Sequence, residues 1–125
     1  MDSDMVLSAI ERRISVRGYA DREVEPRVLE RLLGSANALA LGSGHLTAVP
    51  PRVALVSGVQ QVRRVLTFVI GSYGLVQNPP HLLVGVLPEE SDLARLDLGY
   101  VLEQVVLEAT ACGLGSVWIC LLYTS

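Results

Sequence analysis

The sequence predicts an α+β fold, a layered sandwich with helices packed around a small mixed β-sheet. Three observations carry that expectation. Apolar residues recur at helical spacing in several stretches, short β-branched runs lie between and after them, and the two kinds of segment alternate along the chain. A length of 125 residues admits one such domain.

Val6, Leu7, Ile10 and Ile14 fall at helical spacing, with Ser3 as N-cap, and predict a short helix ending near Arg13. After a turn at Ala20 to Glu23, Pro26 opens a second helix at its first position, with Val28, Leu29, Leu32, Leu33 and Ala36 as its apolar face. Leu41 to Pro51 holds Gly-Ser-Gly-His and Pro50-Pro51 and reads as a loop. Arg52 to Ser57 is a buried strand, and Val59 to Val69 a third helix. Gly71-Ser72-Tyr73-Gly74 and Asn78-Pro79-Pro80 bracket an irregular connection, and His81 to Leu87 is a second strand that Pro88 stops. Ser91 caps a long fourth helix that runs to Cys112, Gly113 terminates it in the left-handed conformation, and Ser116 to Cys120 forms a third strand.

The fourth helix carries Leu102, Val105, Val106, Leu107 and Ala109 and is apolar around much of its circumference, so it belongs inside something. Gly99 in mid-helix costs about 1 kcal/mol relative to alanine. A close approach by another backbone or a flat ligand would account for it, and a subunit interface through this helix is the expectation. Composition agrees, because half the residues are hydrophobic, 18% are charged and the mean hydropathy is +0.43. A membrane, a partner subunit or a further part of the chain should cover such a surplus.

The membrane is the weakest of the three. The longest charge-free run, Val65 to Pro88, is broken by Gly71, Gly74 and Pro79-Pro80, with polar Gln77, Asn78 and His81. Met1-Asp2-Ser3-Asp4 is acidic where a signal peptide is basic, which implies a cytoplasmic location. A net charge of -3 and a pI near 5.3 argue against nucleic-acid binding. Cys112 and Cys120 lack a Cys-x-x-Cys spacing, sit in apolar context and read as buried free thiols. Two histidines without paired spacing argue against a metal site.

The segment Arg13-Ile14-Ser15-Val16-Arg17-Gly18-Tyr19 carries the most chemistry. If it is extended, Arg13, Ser15 and Arg17 project to one side and alternate with Ile14 and Val16. Two guanidiniums and a hydroxyl so arranged suit a phosphate monoester, because the planar arginine fork matches phosphate oxygens. A solvated edge accounts for the same pattern, and Arg13 also suits a helix C-terminus as a cation. Asp97 positions the long helix or pairs with an arginine elsewhere. Trp118 reads as a strand core residue and His81 as structural, while His45 in the Gly-rich loop is a ligand contact or an exposed loop residue.

Four stretches stand in a fixed order: Arg13 to Tyr19, then Gly71-Ser72-Tyr73-Gly74, then Asn78-Pro79-Pro80 before a strand. The fourth is Asp97-Leu98-Gly99-Tyr100-Val101-Leu102-Glu103 running into Glu108-Ala109-Thr110-Ala111-Cys112-Gly113-Leu114-Gly115-Ser116-Val117-Trp118-Ile119. In that order they resemble the FMN-dependent nitroreductase superfamily over nearly the whole chain to Ile119. The resemblance implies an α+β sandwich, an intertwined homodimer or an equivalent internal pair, with FMN held between its halves. It also implies an NAD(P)H oxidoreductase, in which hydride passes from NADH or NADPH to flavin N5 and on to a nitroaromatic, quinone or similar small-molecule acceptor. The cofactor carries that chemistry, so no catalytic side chain is assigned.

By the same resemblance Arg13, Ser15 and Arg17 grip the FMN phosphate and ribityl chain. Leu114 and Gly115 bring backbone near the isoalloxazine, and Tyr73 lies against the flavin or packs its turn. Gly113-Leu114-Gly115 is no dinucleotide fingerprint, because its glycines follow a helix instead of preceding one. Family members continue past Ile119 through a glycine-containing loop into a further helix and strand, and here Cys120-Leu121-Leu122-Tyr123-Thr124-Ser125 departs from that pattern. The expectation is an incomplete FMN-binding domain over residues 1–119, lacking its C-terminal part, with an off-pattern tail at 120–125. Two other classes stay open: a non-catalytic flavin or small-ligand-binding module, and an inactive truncated fragment.

Overall fold

The computed structural model describes residues 2–20, 22–41, 46–67 and 76–119. Among them the elements run α1 (Ser3–Arg12), α2 (Pro26–Leu41), β1 (Arg52–Ser57), α3 (Val59–Thr67), β2 (His81–Val86) and α4 (Asp92–Ala111). Their order is the one the sequence predicts.

Asp2, not Ser3, caps α1. Its carboxylate accepts from the Met5 N–H at 2.8 Å, and Ser3 becomes the first helical residue. A carboxylate satisfies an orphan donor and also meets the positive end of the helix. The apolar stripe expected to face the core faces outward instead: Leu7, Ile10 and Ile14 are exposed, and α1 buries Ala9. The helix packs against α4.

Pro26 is the first residue of α2, where its missing N–H costs nothing. Leu32 and Ala36 from this helix meet Val101, Val105 and Ala109 from α4 in the buried core, with Val28, Val53, Leu83 and Leu114 packed against them. An ion pair 2.8 Å long ties Arg31 of α2 to the buried Glu108 of α4.

The sheet is a two-stranded antiparallel pair, with Val53 opposite Gly85 and Leu55 opposite Leu83. Parallel pairing, the other half of the expected mixed sheet, is confined to isolated bridges, Ser15 with Ser116 and Gly18 with Gln77. The expected third strand therefore reduces, among the described residues, to the Ser116 bridge. Its neighbouring segment offers Ser116 one peptide N–H, from Val16, and turns the next groups to Gln77 on the opposite edge. No ladder extends from there, and Cys120 lies outside the described residues. Trp118 is consequently no strand core residue: it is 42% exposed and its indole N–H donates to Glu103 Oε2 at 3.1 Å.

Ser91 caps α4 by accepting from the Ala94 N–H. At the other end Gly113 adopts φ 81°, its N–H donates to the Thr110 carbonyl and the Leu114 N–H reaches back to the Ala109 carbonyl. This is a Schellman stop, with Leu114 folded onto the core as its hydrophobic contact. Along its length α4 buries Ala94, Asp97, Val101 and Val105, and exposes Leu93, Leu96 and Tyr100. The close approach expected at Gly99 is not made among the described residues, where a Cβ would meet nothing within 4 Å. It is made at Gly85, where a Cβ would stand 2.5 Å from Leu98 Cδ1. Cys112 is half-buried at the end of α4, where a buried thiol was expected. No helix among the described residues is long and apolar enough to cross a membrane.

Candidate functional site

The chain leaves α1 at Arg13, whose backbone is already extended (φ -64°, ψ 127°) while its N–H closes the last turn on the Ala9 carbonyl. Arg12 stays with the helix, its Nε donating to the Ser8 carbonyl and hydroxyl. From Arg13 the segment is clamped on both edges. On one edge the Val16 N–H donates to the Ser116 carbonyl at 2.9 Å; on the other, Gln77 N–H donates to the Arg17 carbonyl at 2.7 Å and its carbonyl accepts from Tyr19 N–H at 3.1 Å.

Alternation then does what the sequence predicts for the first two polar residues. Arg13 and Ser15 share a face, with Arg13 Nη2 3.3 Å from Ser15 Oγ. Arg17 is exposed, and its charge and that of Arg13 both reach the Tyr19 phenol. Burial pushes that phenol above its ordinary value, and the two guanidiniums oppose the shift. The Tyr19 hydroxyl donates to the Val16 carbonyl, three residues back in the same segment.

The turn after α4 is brought beside this segment. Gly115 lies against Val16, and a Cβ at position 115 would come within 3.0 Å of Val16 Cβ. Glycine is what allows the two backbones to reach bridging distance. Leu114 has its side chain in the core and its N–H committed to Ala109, so only its carbonyl is left to face a ligand. Tyr73 and His45 lie outside the described residues. Two buried side-chain atoms here make no hydrogen bond, Arg13 Nε and Ser116 Oγ.

Gln77, Ser116 and Val16 complete the site; Val16 and Ser116 lie within the stretches that carry the resemblance, but the backbone pairing and contact across the fold by which all three join the site leave no mark in the sequence. His81 is structural, as read. Its Nε2 accepts from the Val24 N–H at 3.0 Å and its Nδ1 lies 2.7 Å from Ser57 Oγ, which ties the connector after Tyr19 to the sheet.

An arginine-bearing segment bridged to the turn that ends a long helix, in a chain of four helices and a two-stranded antiparallel sheet among the described residues, is an α+β arrangement. The same fold is seen in the crystal structure of the "Putative NADH dehydrogenase/NAD(P)H nitroreductase" from Bacteroides thetaiotaomicron, at 21% identity and a TM-score of 0.75, over 94% of this chain and 68% of that one. Nitroreductase A from Vibrio parahaemolyticus matches at 20% identity and a TM-score of 0.69, over 92% of this chain and 54% of that one, so the chain spans about half its length. No curated protein matches. The family described as "Putative TM nitroreductase" matches residues 5–125, and the chain belongs to that nitroreductase family.

Proposed function

We propose that the chain binds FMN through Arg13, Ser15 and Arg17 and works as a flavin-dependent NAD(P)H oxidoreductase of nitroreductase type, with a nitroaromatic, quinone or similar small molecule as acceptor. The observation that carries this reading is the bridge between Ser15 and Ser116, which sets the arginine segment against the Leu114-Gly115 turn. The residues fit an FMN phosphate. Arg13 Nε is a buried donor with no partner, and a phosphate oxygen would satisfy it with a charge-assisted bond.

Arg13 and Arg17 would hold the phosphate, and the Ser15 hydroxyl, already beside Arg13, would add a donor. The cofactor, once bound, supplies hydride transfer between the nicotinamide and the acceptor. The chain's part is to orient it: the clamps from Ser116 and Gln77 and the Tyr19 hydroxyl fix the segment before any ligand arrives. Groups held in advance lose little freedom on binding. The exposed apolar residues, Leu7 and Ile10 on α1, Ile14 just beyond it, and Leu93, Leu96 and Tyr100 on α4, support a homodimer or internal pair that covers them.

Titration with FMN, followed by flavin fluorescence, tests the reading. Arg17→Glu should weaken binding by about tenfold or more through charge reversal. Wild-type affinity in that variant would remove Arg17 from the site. Bound flavin that neither NADH nor NADPH reduces without oxygen would replace the enzyme by a non-catalytic flavin-binding module.

A further inference from the structure

We infer that Ser116 is a phosphate-binding residue, its hydroxyl donating to an oxygen of the same FMN phosphate that Arg13 and Arg17 hold. The inference rests on the flavin reading above and adds to it a group from the far end of the chain. Ser116 Oγ is buried and makes no hydrogen bond, a state it shares with Arg13 Nε. The two atoms belong to adjoining backbones. Ser116 pairs with Ser15, and Ser15 Oγ stands 3.3 Å from Arg13 Nη2. Residues paired across parallel backbones turn their side chains to the same face, so Ser116 joins the face that already carries Arg13 and Ser15.

The chemistry of the two orphan groups narrows what they take. Arg13 Nε–H only donates, and the serine hydroxyl donates or accepts. They are not bonded to each other, so one partner that serves both must be an acceptor with several lone pairs. A phosphate oxygen meets that requirement. A ribityl hydroxyl, with a proton of its own to place, meets it less well. Arg13 is the movable side of the cradle, because Ser15 Oγ holds its guanidinium at 3.3 Å, a long hydrogen bond. Ser116 is the fixed side, held by the Val16 N–H on its carbonyl and by the close fit of Gly115 to Val16.

Ser116→Ala separates a ligand-binding hydroxyl from a structural one. Removing a buried hydroxyl that has no partner leaves the flavin-free protein as stable as wild type or more so. The same change should weaken FMN about tenfold and leave riboflavin, which has no phosphate, unaffected. The two dissociation constants and the melting temperature of the flavin-free protein are measured on wild type and variant. Unchanged FMN affinity overturns the inference. Equal losses for FMN and riboflavin place the contact on the ribityl chain and overturn the phosphate assignment. A lowered melting temperature without flavin makes Ser116 a structural residue and does the same. Wild-type protein that binds no FMN would end the flavin reading itself, a result distinct from wild-type binding that survives Ser116→Ala.

Discussion

The buried carboxylate of Asp97, on the second turn of α4, holds Thr47 through one oxygen: Oδ2 accepts from the Thr47 N–H at 2.9 Å and lies 2.7 Å from the Thr47 hydroxyl. Its other oxygen accepts from the Leu46 N–H at 2.7 Å. Where the sequence suggests that Asp97 positions the long helix or pairs with an arginine, these bonds fasten the approach to β1 onto α4. Asp97→Ala leaves the buried Thr47 N–H, the part-buried Leu46 N–H and the Thr47 hydroxyl without that acceptor, and should cost about 2–3 kcal/mol in urea denaturation. Asp97→Asn keeps one acceptor oxygen and should lose roughly half as much. Wild-type stability in Asp97→Ala would mean that the loop is held by other contacts.

Gly115→Ala tests the seam between the two halves of the candidate site. The new methyl would stand 3.0 Å from Val16 Cβ, an atom fixed to the backbone that no rotamer change can withdraw. The Val16 N–H to Ser116 carbonyl bond should lengthen, with a stability loss of about 1–3 kcal/mol and weaker FMN binding. Val16→Ala in the same chain removes the two Cγ contacts at 3.0 and 3.1 Å but keeps Cβ, and should return part of both. A double-mutant cycle measures this, and strictly additive losses would show that the two positions do not meet.

Local chemistry made most elements legible. Pro26 opens α2, Ser91 caps α4, and Gly113 with φ 81° ends it, each for reasons contained within a few neighbouring residues. What the sequence could not show is which side of a helix finds a partner. The helical spacing read from Leu7 and Ile10 is correct, and Ile14 falls beyond the helix end, yet all three are exposed while Ala9 is fully buried. The same divide runs through the site. Alternation in the Arg13 to Tyr19 segment is a local property and could be read, whereas Gln77 and Ser116 join it through backbone bonds that any residue type could make.

His81 has one tautomer that satisfies both of its neighbours. The Val24 N–H can only donate, so Nε2 carries no proton, and the proton sits on Nδ1, where it is donated to Ser57 Oγ. His81→Gln places an amide oxygen near the position of Nε2 and should keep Val24 protected from hydrogen exchange. His81→Asn reaches only as far as Nδ1 and should release it. Faster Val24 exchange in both variants would show that the ring's packing matters more than its acceptor.

Tyr19 makes stability depend on alkaline pH. Burial raises the phenol above its unfolded value, with Arg13 and Arg17 opposing, and its hydroxyl donates to the Val16 carbonyl. A group raised on folding stabilises fully below its unfolded value, about 10 for tyrosine, and that stabilisation is lost as pH climbs through the folded value. Solvent reaches part of the ring, so the effect is modest, and Tyr19→Phe should flatten the stability curve above about pH 10. The arginines connect this titration to the ligand. Phosphate bound to Arg13 and Arg17 would cancel the positive field that holds the phenol down, so FMN should move the Tyr19 midpoint further up while riboflavin leaves it in place. NMR of the tyrosine ring carbons reads the midpoint directly. An unmoved midpoint at saturating FMN would show that the phosphate does not sit on the two arginines that Tyr19 senses.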